Sequence, residues 1–518
     1  MSDDRLLGLD VGTQSVRALL FDARGELIAG HRVPIAPYQP GEPAAAEQPA
    51  VLYWEALVAA CAGLRQAAPD GCRQIVAAGL TTQRNTVVPV DRDGQALHPA
   101  LTWMDKRSAA RVPPLPGYLR WAFRLAGLSA TVSRFQHDAK SNWLACEAPD
   151  VHARMHRFLL LSGYLTHRLT GRFVDSTGAQ VGYLPFDYKR QQWADAGSWR
   201  WRALGLQPGH MPDLVPCGQP LGPLGDEAAR ALGLPAGLPV ISSGADKACE
   251  VLGSGCISPE TASLSFGTTA TVNSCRPRYM EATRFLPAYP AALPGAWNSE
   301  VNIYRGFWLV SWFKQQFGAE EQQVAEARGV APETLLDQQI EAIPPGSMGL
   351  VLQPYWSPGV RDPGPEAKGS IIGFGDVHLR GHVYRAVLEG LIYGLREGAE
   401  RIERRGRVSI ELLRVAGGGA QSDVALQITA DVFNRPAERP HTHEASGLGA
   451  AINAAVGAGL YPDHASAATA MTRPGRRFTP EPAAVRVYDQ LYHRVYRRMY
   501  GRLAPLFRDI RAITGYPP

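Results

Sequence analysis

Two strand–turn–strand segments, one at the head of each half of the chain, constrain the fold more than any other feature. The first spans residues 6–22 and the second spans residues 262–272, and each places a Gly-Thr pair between two apolar runs. The polar turn residues are Gly12, Thr13 and Ser15 in the first segment, and Gly267 and Thr268 in the second. A repeat of this kind predicts two similar α/β domains whose turns face one cleft.

The first turn carries groups that suit a phosphate. Gly12 lets the backbone come close to a bulky anion, and the N–H and hydroxyl groups of the turn can donate to phosphate oxygens. Asp10, at the end of the first strand, would repel a phosphate unless a cation lies between them, so the segment suggests a magnesium nucleotide. Ser265 stands at the equivalent place in the second segment, so only the first keeps a carboxylate. A plain hairpin with a glycine turn stays open as the alternative.

Length and composition narrow the class of protein. The 518 residues exceed one ordinary core, so we expect two domains, 1–250 and 251–518. A hydrophobic content of 45% and a charged content of 19% are typical of a globular protein in water. The sequence shows neither a long uncharged apolar run nor a signal-peptide pattern, and its seven cysteines form no CxxC pair. These features predict a cytoplasmic protein with reduced thiols.

Basic residues are concentrated near the end of the chain. The net charge of +5 is mild for this length, and segment 488–503 holds four arginines. An amphipathic helix packed on a domain, with solvated arginines, is the favoured interpretation of this segment. We therefore expect neither a nucleic-acid partner nor a membrane partner, although the segment alone leaves both open.

A third glycine-rich turn, Gly417 to Gly419, follows a predicted strand over 412–416 and precedes a helix that runs to 433. A glycine turn at a helix N-terminus can take a base or a phosphate against bare backbone. The turn lacks the GK[ST] ending of a Walker A loop and is not a GxGxxG fingerprint. A plain strand–helix connection stays open. A later helix over 447–456, rich in small residues, is predicted to pack closely behind the site.

Three loops in this order resemble those of the actin/Hsp70/sugar-kinase ATPase superfamily, and within it the FGGY carbohydrate kinases. Their first signature resembles residues 135–147, and their second resembles residues 369–374 followed by 382–389. The resemblance covers residues 6 to about 460. It implies an α/β fold of two ribonuclease-H-like domains with an interdomain cleft. It also implies ATP- and Mg²⁺-dependent phosphorylation of a hydroxyl on a small carbohydrate, and in relatives a homodimer is usual.

The resemblance assigns roles to residues of the three loops. Asp246 takes the place of the general base, although on the residues alone it could equally cap the helix that follows. Asp10 takes the place of the residue that holds Mg²⁺. The residues assigned to ATP and its phosphates are Gly12, Thr13, Ser15, Arg17, Gly267, Thr268, Gly418, Gly419 and Ser422. Arg17 could also be a surface strand residue in an ion pair.

The predicted substrate loop resembles that of glycerol kinases, with changes. Arg84 is kept, but Asn85 replaces the acid of an Arg-Glu pair. Because an amide both donates and accepts hydrogen bonds, the preferred pattern of hydroxyls should change. Trp103 matches an aromatic wall of the substrate pocket, and a half-buried core tryptophan is the alternative interpretation.

Two further residues depart from the glycerol-kinase pattern. Phe135 stands where those enzymes have a tyrosine, so one hydroxyl contact is lost. Lys247 replaces a common glutamine, where it would keep Asp246 ionised or contact an anionic substrate. A site built to hydrogen-bond a polar group strongly rejects substrates that do not match it. We therefore predict a polyol or ketose that differs from glycerol in length or charge. Glycerol kinase proper, and a non-catalytic pseudokinase that binds ATP and sugar, are the alternatives.

Two other features have competing interpretations. Arg305 would reach the substrate, or it would stack on the neighbouring Trp308 or Tyr304. His441 and His443 have a zinc-like spacing but no evident third ligand, so we interpret them as part of a loop.

Overall fold

The computed structural model describes residues 3–36, 44–357, 359 and 363–516. Each half of the sequence builds a mixed sheet around its hairpin. The first sheet has six strands in the spatial order β5-β6-β4-β1-β2-β3. These strands are β1 (Arg5–Val11), β2 (Ser15–Asp22), β3 (Leu27–Pro34), β4 (Ile75–Thr82), β5 (Pro220–Pro223) and β6 (Pro239–Ser242).

The second sheet repeats the central arrangement with seven strands, in the order β9-β10-β8-β7-β11-β12-β13. These strands are β7 (Thr261–Phe266), β8 (Ala270–Arg276), β9 (Tyr289–Pro290), β10 (Trp297–Ile303), β11 (Leu412–Ala416), β12 (Ala437–Pro440) and β13 (Pro474–Phe478). In both sheets the first hairpin strand pairs antiparallel with its partner and parallel with a later strand, β4 or β11. The α/β fold of two domains, which the repeat and the family resemblance together predict, is confirmed.

Helices cover both faces of the first sheet, which explains why β1 is buried along nearly its whole length. The helices that matter for the site are α1 (Ala50–Ala67), α2 (Asp246–Gly253), α3 (Arg380–Gly406), α4 (Asp423–Phe433) and α5 (Ala445–Gly457). Helix α1 packs on β2 and β3, whereas α5 packs on β1, β4 and α2.

Helix α5 comes very close to the first sheet, and two glycines permit the approach. A methyl group on Gly8 would lie 2.5 Å from the carbonyl oxygen of Gly447, and one on Gly79 would lie 2.1 Å from that of Ala450. Helix α5, from the second half of the chain, thus packs directly on strands β1 and β4 of the first half. The domain boundary at residue 250 stays a prediction of the sequence.

Smaller elements complete the chain. A four-stranded sheet joins Glu47–Gln48, Ala100–Leu101, Val87–Val90 and Arg157–Leu160. The remaining α-helices are Pro69–Arg73, Gly117–Leu125, Ser129–His137, Lys140–Glu147, Pro149–Arg154, Leu161–Thr170, Trp199–Ala203, Asp226–Leu232, Trp308–Phe317, Ala319–Arg328, Pro332–Glu341, His464–Met471, Pro482–Leu491 and Arg497–Thr514. Tyr488, Tyr492 and Met499 are buried, so the amphipathic terminal segment packs on the protein as predicted. Across the described ranges, none of the helices is long and apolar enough to cross a membrane.

Candidate active site

The first Gly-Thr turn is held by both backbone and side chains. The Gly12 amide donates to the Ser15 carbonyl at 3.0 Å. The Thr13 hydroxyl donates to Gln83 Oε1 at 2.9 Å and accepts from Trp103 Nε1 at 2.9 Å. The turn is therefore tied to the loop after β4 and to the predicted aromatic wall.

Gln83 continues this network into the core, and its role was not foreseen from the sequence. Its Nε2 donates to the Tyr53 hydroxyl at 2.9 Å, and Tyr53 in turn bonds Gln48. Gln83 and the two threonines before it are nearly fully buried. A run of polar residues directly after an apolar strand was the signal that could have revealed this position.

Asp10 is the last residue but one of β1 and has a basic partner. Arg17 is its register partner on β2, and Arg17 Nη1 lies 2.9 Å from Asp10 Oδ2 and 3.3 Å from Glu444 Oε2. Burial raises the pKa of Asp10 to about 6, and the nearby carboxylates of Asp246 and Glu444 act in the same direction. Arg17 thus has the ion pair that was its alternative interpretation, and its contact with ATP stays a prediction.

Asp246 follows β6 as the first residue of α2. Ala245 occupies the cap position and no side-chain cap bond is made, so the interpretation of Asp246 as a helix cap is wrong. Its Oδ1 accepts from the Lys247 amide at 2.7 Å. Burial raises the pKa of Asp246, and the charges of Arg84 and Lys247 oppose that rise.

Arg84 joins the two halves of the molecule. Its Nη1 donates to both carboxylate oxygens of Glu300, at 3.0 and 3.1 Å, and its Nε lies 4.0 Å from Asp246 Oδ1. The Tyr289 ring lies 5.4 Å from the guanidinium carbon. Glu300 belongs to β10 of the second sheet, and no local sequence pattern marked it.

Lys247 turns toward the second hairpin. Its Nζ donates to Ser265 Oγ at 2.6 Å and to the Glu250 carboxylate at 3.2 and 3.3 Å. Ser265 is the residue that stands where the first hairpin has Asp10. The ammonium is therefore neutralised by Glu250 on its own helix.

A small pocket lies between these groups. Its lining includes Arg84, Lys247, Tyr289, Asn298 and Glu300. Both halves of the chain thus contribute to it, and two of the predicted substrate residues meet there close to Asp246.

Asn85 and the segment before Trp103 are fastened by one buried lysine. Asn85 has a positive φ of 52°. The Lys140 ammonium donates to the carbonyl oxygens of Asn85 at 3.1 Å, of Leu101 at 3.2 Å, and of Thr102. Burial lowers the pKa of Lys140 to about 7. Lys140 lies in the first signature segment, but sequence reasoning gave it no role.

Two predicted aromatic positions differ in their surroundings. Trp103 is 39% exposed, which is more than a core tryptophan would be. Phe135 packs in an apolar cluster, with ring centroids 5.7 Å from Tyr183 and 5.8 Å from Trp199. The contacts of Phe135 are therefore with other aromatic rings.

The second Gly-Thr turn and the glycine-rich turn meet at Phe307. The Phe307 amide donates to the Gly267 carbonyl at 2.9 Å, and the next contact joins the Gly306 amide to the Thr268 carbonyl at 2.9 Å. A methyl group on Gly419 would lie 2.3 Å from the Phe307 ring. Two of the predicted nucleotide loops are thus neighbours in space.

The glycine-rich turn is braced where it enters α4. The Ser422 hydroxyl accepts from the Ala425 amide at 3.0 Å and caps the helix. Arg439 donates to the carbonyls of Ala420 and Gln421 at 2.6 and 3.1 Å. The open face of the turn is at Gly418, where an added methyl group would meet no atom within 4 Å.

The two features with competing interpretations are also placed. The Arg305 guanidinium lies 4.7 Å from the Trp308 ring centroid, so the stacking interpretation is confirmed. His441 Nε2 lies 3.0 Å from the Gly25 carbonyl oxygen. In the part of the chain that the structure describes, no three His, Cys, Asp or Glu side chains form a metal-binding group.

Comparisons with known proteins agree with this geometry. The model for the FGGY family of carbohydrate kinases matches with its N-terminal domain at residues 5–253 and its C-terminal domain at residues 262–458. A protein of Escherichia coli (strain K12) described as an uncharacterized sugar kinase is 31% identical, over 95% of this chain and 92% of its own length.

Two proteins with more specific names are also similar. A xylulose kinase of Lactococcus lactis is 28% identical, over 94% of this chain and 95% of its own length. A crystal structure of a xylulose kinase from Brucella ovis aligns with a TM-score of 0.80 at 25% identity, covering 97% of this chain and all of that one. The chain therefore belongs to the FGGY family of carbohydrate kinases.

Proposed function

We propose that this kinase transfers the terminal phosphoryl group of ATP to a hydroxyl of a neutral polyol or ketose, with Asp246 as the general base. The observation that carries the proposal is the pocket lined by Arg84 and Lys247 beside the half-buried Asp246 carboxylate. A base must lie within reach of the proton it removes, and a carboxylate whose pKa is raised by partial burial suits that task.

In the proposed reaction, Asp246 accepts the proton of the substrate hydroxyl as that oxygen attacks the terminal phosphorus of ATP. The bond between this phosphorus and the bridging oxygen breaks, and ADP leaves with the electron pair. Most of the acceleration of such transfers comes from positioning and electrostatics. Arg84 would orient neighbouring hydroxyls, and Trp103 would form a wall of the pocket beside the first turn.

The nucleotide would lie between the loops. The turn at Gly12, Thr13 and Ser15 would hold phosphate oxygens from one side, and Gly267 with Thr268 from the other. Gly418, Gly419 and Ser422 would lie against the adenosine, and the closest approach would be at Gly418, where the backbone is open. The donors to the phosphate oxygens would be amides and hydroxyls of the two turns other than the Gly12 amide and the Thr13 hydroxyl, which already donate to Ser15 and Gln83.

The residues present fit a magnesium ion. Proteins usually bind Mg²⁺ through one or two carboxylates together with substrate phosphates. Asp10 is such a carboxylate. Burial is the main cause of its raised pKa, the charges of Asp246 and Glu444 add to it, and Arg17, paired with Asp10 at 2.9 Å, opposes it. Asp10 would hold the ion through water, and the bound ion would neutralise the phosphates.

The charges around the pocket favour a neutral substrate over a sugar acid. Arg84 is paired with Glu300 and Lys247 with Glu250, and Asp246 adds a further carboxylate. Two cations thus face three carboxylates, so a substrate carboxylate would meet no uncompensated positive charge among these residues. An unpaired charge in a closed site costs several kcal/mol.

The test is ADP release with neutral C3–C7 polyols and ketoses, each set beside the sugar acid of equal chain length. We expect kcat/KM for the best neutral compound to exceed that of its acid by about 100-fold or more, or about 2.7 kcal/mol. Equal or faster turnover of the sugar acid would refute the proposal that the substrate is neutral. Efficient turnover of glycerol would favour glycerol kinase proper, and no substrate-dependent ADP would favour a pseudokinase. A cytoplasmic location and a homodimer stay predictions of the sequence.

A further inference from the structure

We propose that Glu300 is a positioning residue, which holds Arg84 away from the catalytic carboxylate and thereby keeps the substrate pocket open. The inference rests on the proposed role of Asp246 as the base. It gives the second sheet a part in the substrate pocket, since Glu300 lies on β10 and Arg84 follows β4 of the first sheet.

Arg84 lies between the carboxylates of Glu300 and Asp246, and it is hydrogen-bonded only to Glu300. Both oxygens of Glu300 accept from Nη1, whereas the nearest approach to Asp246 is 4.0 Å from Nε, too long for a hydrogen bond. The Glu300 side chain is 4% exposed and that of Arg84 is 20% exposed, so water competes little for this pair. Arg84 is thus fixed on the Glu300 side of the pocket.

Without Glu300, the guanidinium would have one strong acceptor left within reach. The groups facing Arg84 are Glu300 from β10, Tyr289 from β9 and Asp246 from α2. A charge-assisted bond between guanidinium and carboxylate shortens to about 2.8 Å. Arg84 would move into hydrogen-bond distance of Asp246 and occupy the space of the substrate hydroxyl. The Asp246 lone pairs would then accept from the guanidinium and not from the substrate.

Asp246 in turn faces Arg84, Lys247, Glu250 and the more distant Asp10. Lys247 is already engaged with Glu250 and Ser265, so Arg84 is the cation free to move toward the base when its partner is removed. An opposite charge brought into contact lowers the pKa of an aspartate by about 1–3 units.

This arrangement also accounts for a change noted in the sequence. Asn85 stands where an acid is expected beside Arg84, and it offers no carboxylate to restrain the guanidinium. Glu300 supplies that carboxylate from the other half of the chain.

The experiment compares Glu300→Gln with wild type by the pH profile of kcat/KM for the best neutral substrate. We expect the acid limb to move to lower pH by about one unit, and kcat/KM at the optimum to fall about 10–100-fold. The matched control is Glu320→Gln, which removes an exposed partner of Arg380 at 2.9 Å and should leave the profile unchanged. An unmoved acid limb, or one moved to higher pH, would overturn the proposal.

A double substitution separates an action through Arg84 from a direct effect of the Glu300 charge. If Glu300 acts through Arg84, Glu300→Gln should change neither the limb nor kcat/KM when added to Arg84→Met. Additive losses would overturn the proposal. Glu300→Asp keeps the charge but shortens the side chain, so its acid limb and its kcat/KM should lie between those of wild type and those of Glu300→Gln. Melting temperatures establish that each variant is folded. If Asp246→Asn turns over at the wild-type rate, the proposed function fails, whatever these variants show.

Discussion

Replacing Lys140 with methionine gives a prediction whose size follows from the structure. The ammonium donates to three backbone carbonyls, of Asn85, Leu101 and Thr102, and its burial lowers its pKa from 10.5 to about 7. In the unfolded chain the pKa returns to its ordinary value. Between the two values the unfolded state binds more protons than the folded state, so this group makes stability rise with pH.

Between the two pKa values, Lys140 should change the free energy of unfolding by about 1.4 kcal/mol per pH unit. Methionine does not titrate, so the free energy of unfolding of wild type minus that of Lys140→Met should grow by about 2 kcal/mol between pH 7.5 and pH 9. Below the folded pKa both states hold the proton, and the difference should level off. Other titrating groups are common to both proteins and cancel in this difference.

Urea unfolding followed by tryptophan fluorescence, with both proteins at each pH, measures this difference. Equal m values in the two proteins would show that they unfold in the same way. A difference in unfolding free energy that stays constant from pH 7.5 to pH 9 would refute the reasoning. It would mean that the three carbonyls keep Lys140 protonated despite its burial.

Three further variants test other parts of the structure. Gly8→Ala should lower stability by about 1–3 kcal/mol, seen as a lower melting temperature, because its methyl group would lie 2.5 Å from the Gly447 carbonyl oxygen; an unchanged melting temperature would contradict the close packing. Trp103→Phe removes the indole bond to Thr13 and should raise KM for the carbohydrate about 2–10-fold in steady-state assays, whereas an unchanged KM would count against Trp103 as a pocket wall. Arg439→Met removes two bonds that brace the glycine-rich turn, and we expect part of their energy, about 1.4 kcal/mol, to be lost from ATP binding, a tenfold weaker affinity by calorimetry; unaltered affinity would argue that the turn does not need this brace.

Much of the fold followed from local patterns. The apolar runs around Gly12 and Gly267 predicted two hairpins, and each is the centre of a sheet. The small residues of segment 447–456 predicted close packing, which the structure places against the first sheet. Alternation, turn residues and small-residue content are short-range properties, so a sequence displays them directly.

The candidate site was harder to predict from the sequence, because the residues of its key pairs lie far apart along the chain. Asn85 was identified as a departure beside the retained Arg84, but the partner of Arg84 lies on another sheet and no motif surrounds it. Lys140 had a place in a signature segment, but its function depends on which carbonyls converge on its ammonium. Lys247 was predicted to keep the base ionised or to contact the substrate. Its charge does oppose the raised pKa of Asp246, but the sequence did not show that its ammonium is bonded to Glu250 and Ser265. Tertiary placement decides such contacts.

The central claim is that Asp246 is the base of a carbohydrate kinase, and the rate of Asp246→Asn tests it most directly. Asparagine keeps the size of the side chain but cannot accept the hydroxyl proton. With the best neutral substrate at saturating ATP, the account predicts that kcat falls about 10²–10⁴-fold while KM and ATP affinity change little. A variant that retains kcat within a few-fold of wild type would contradict the account.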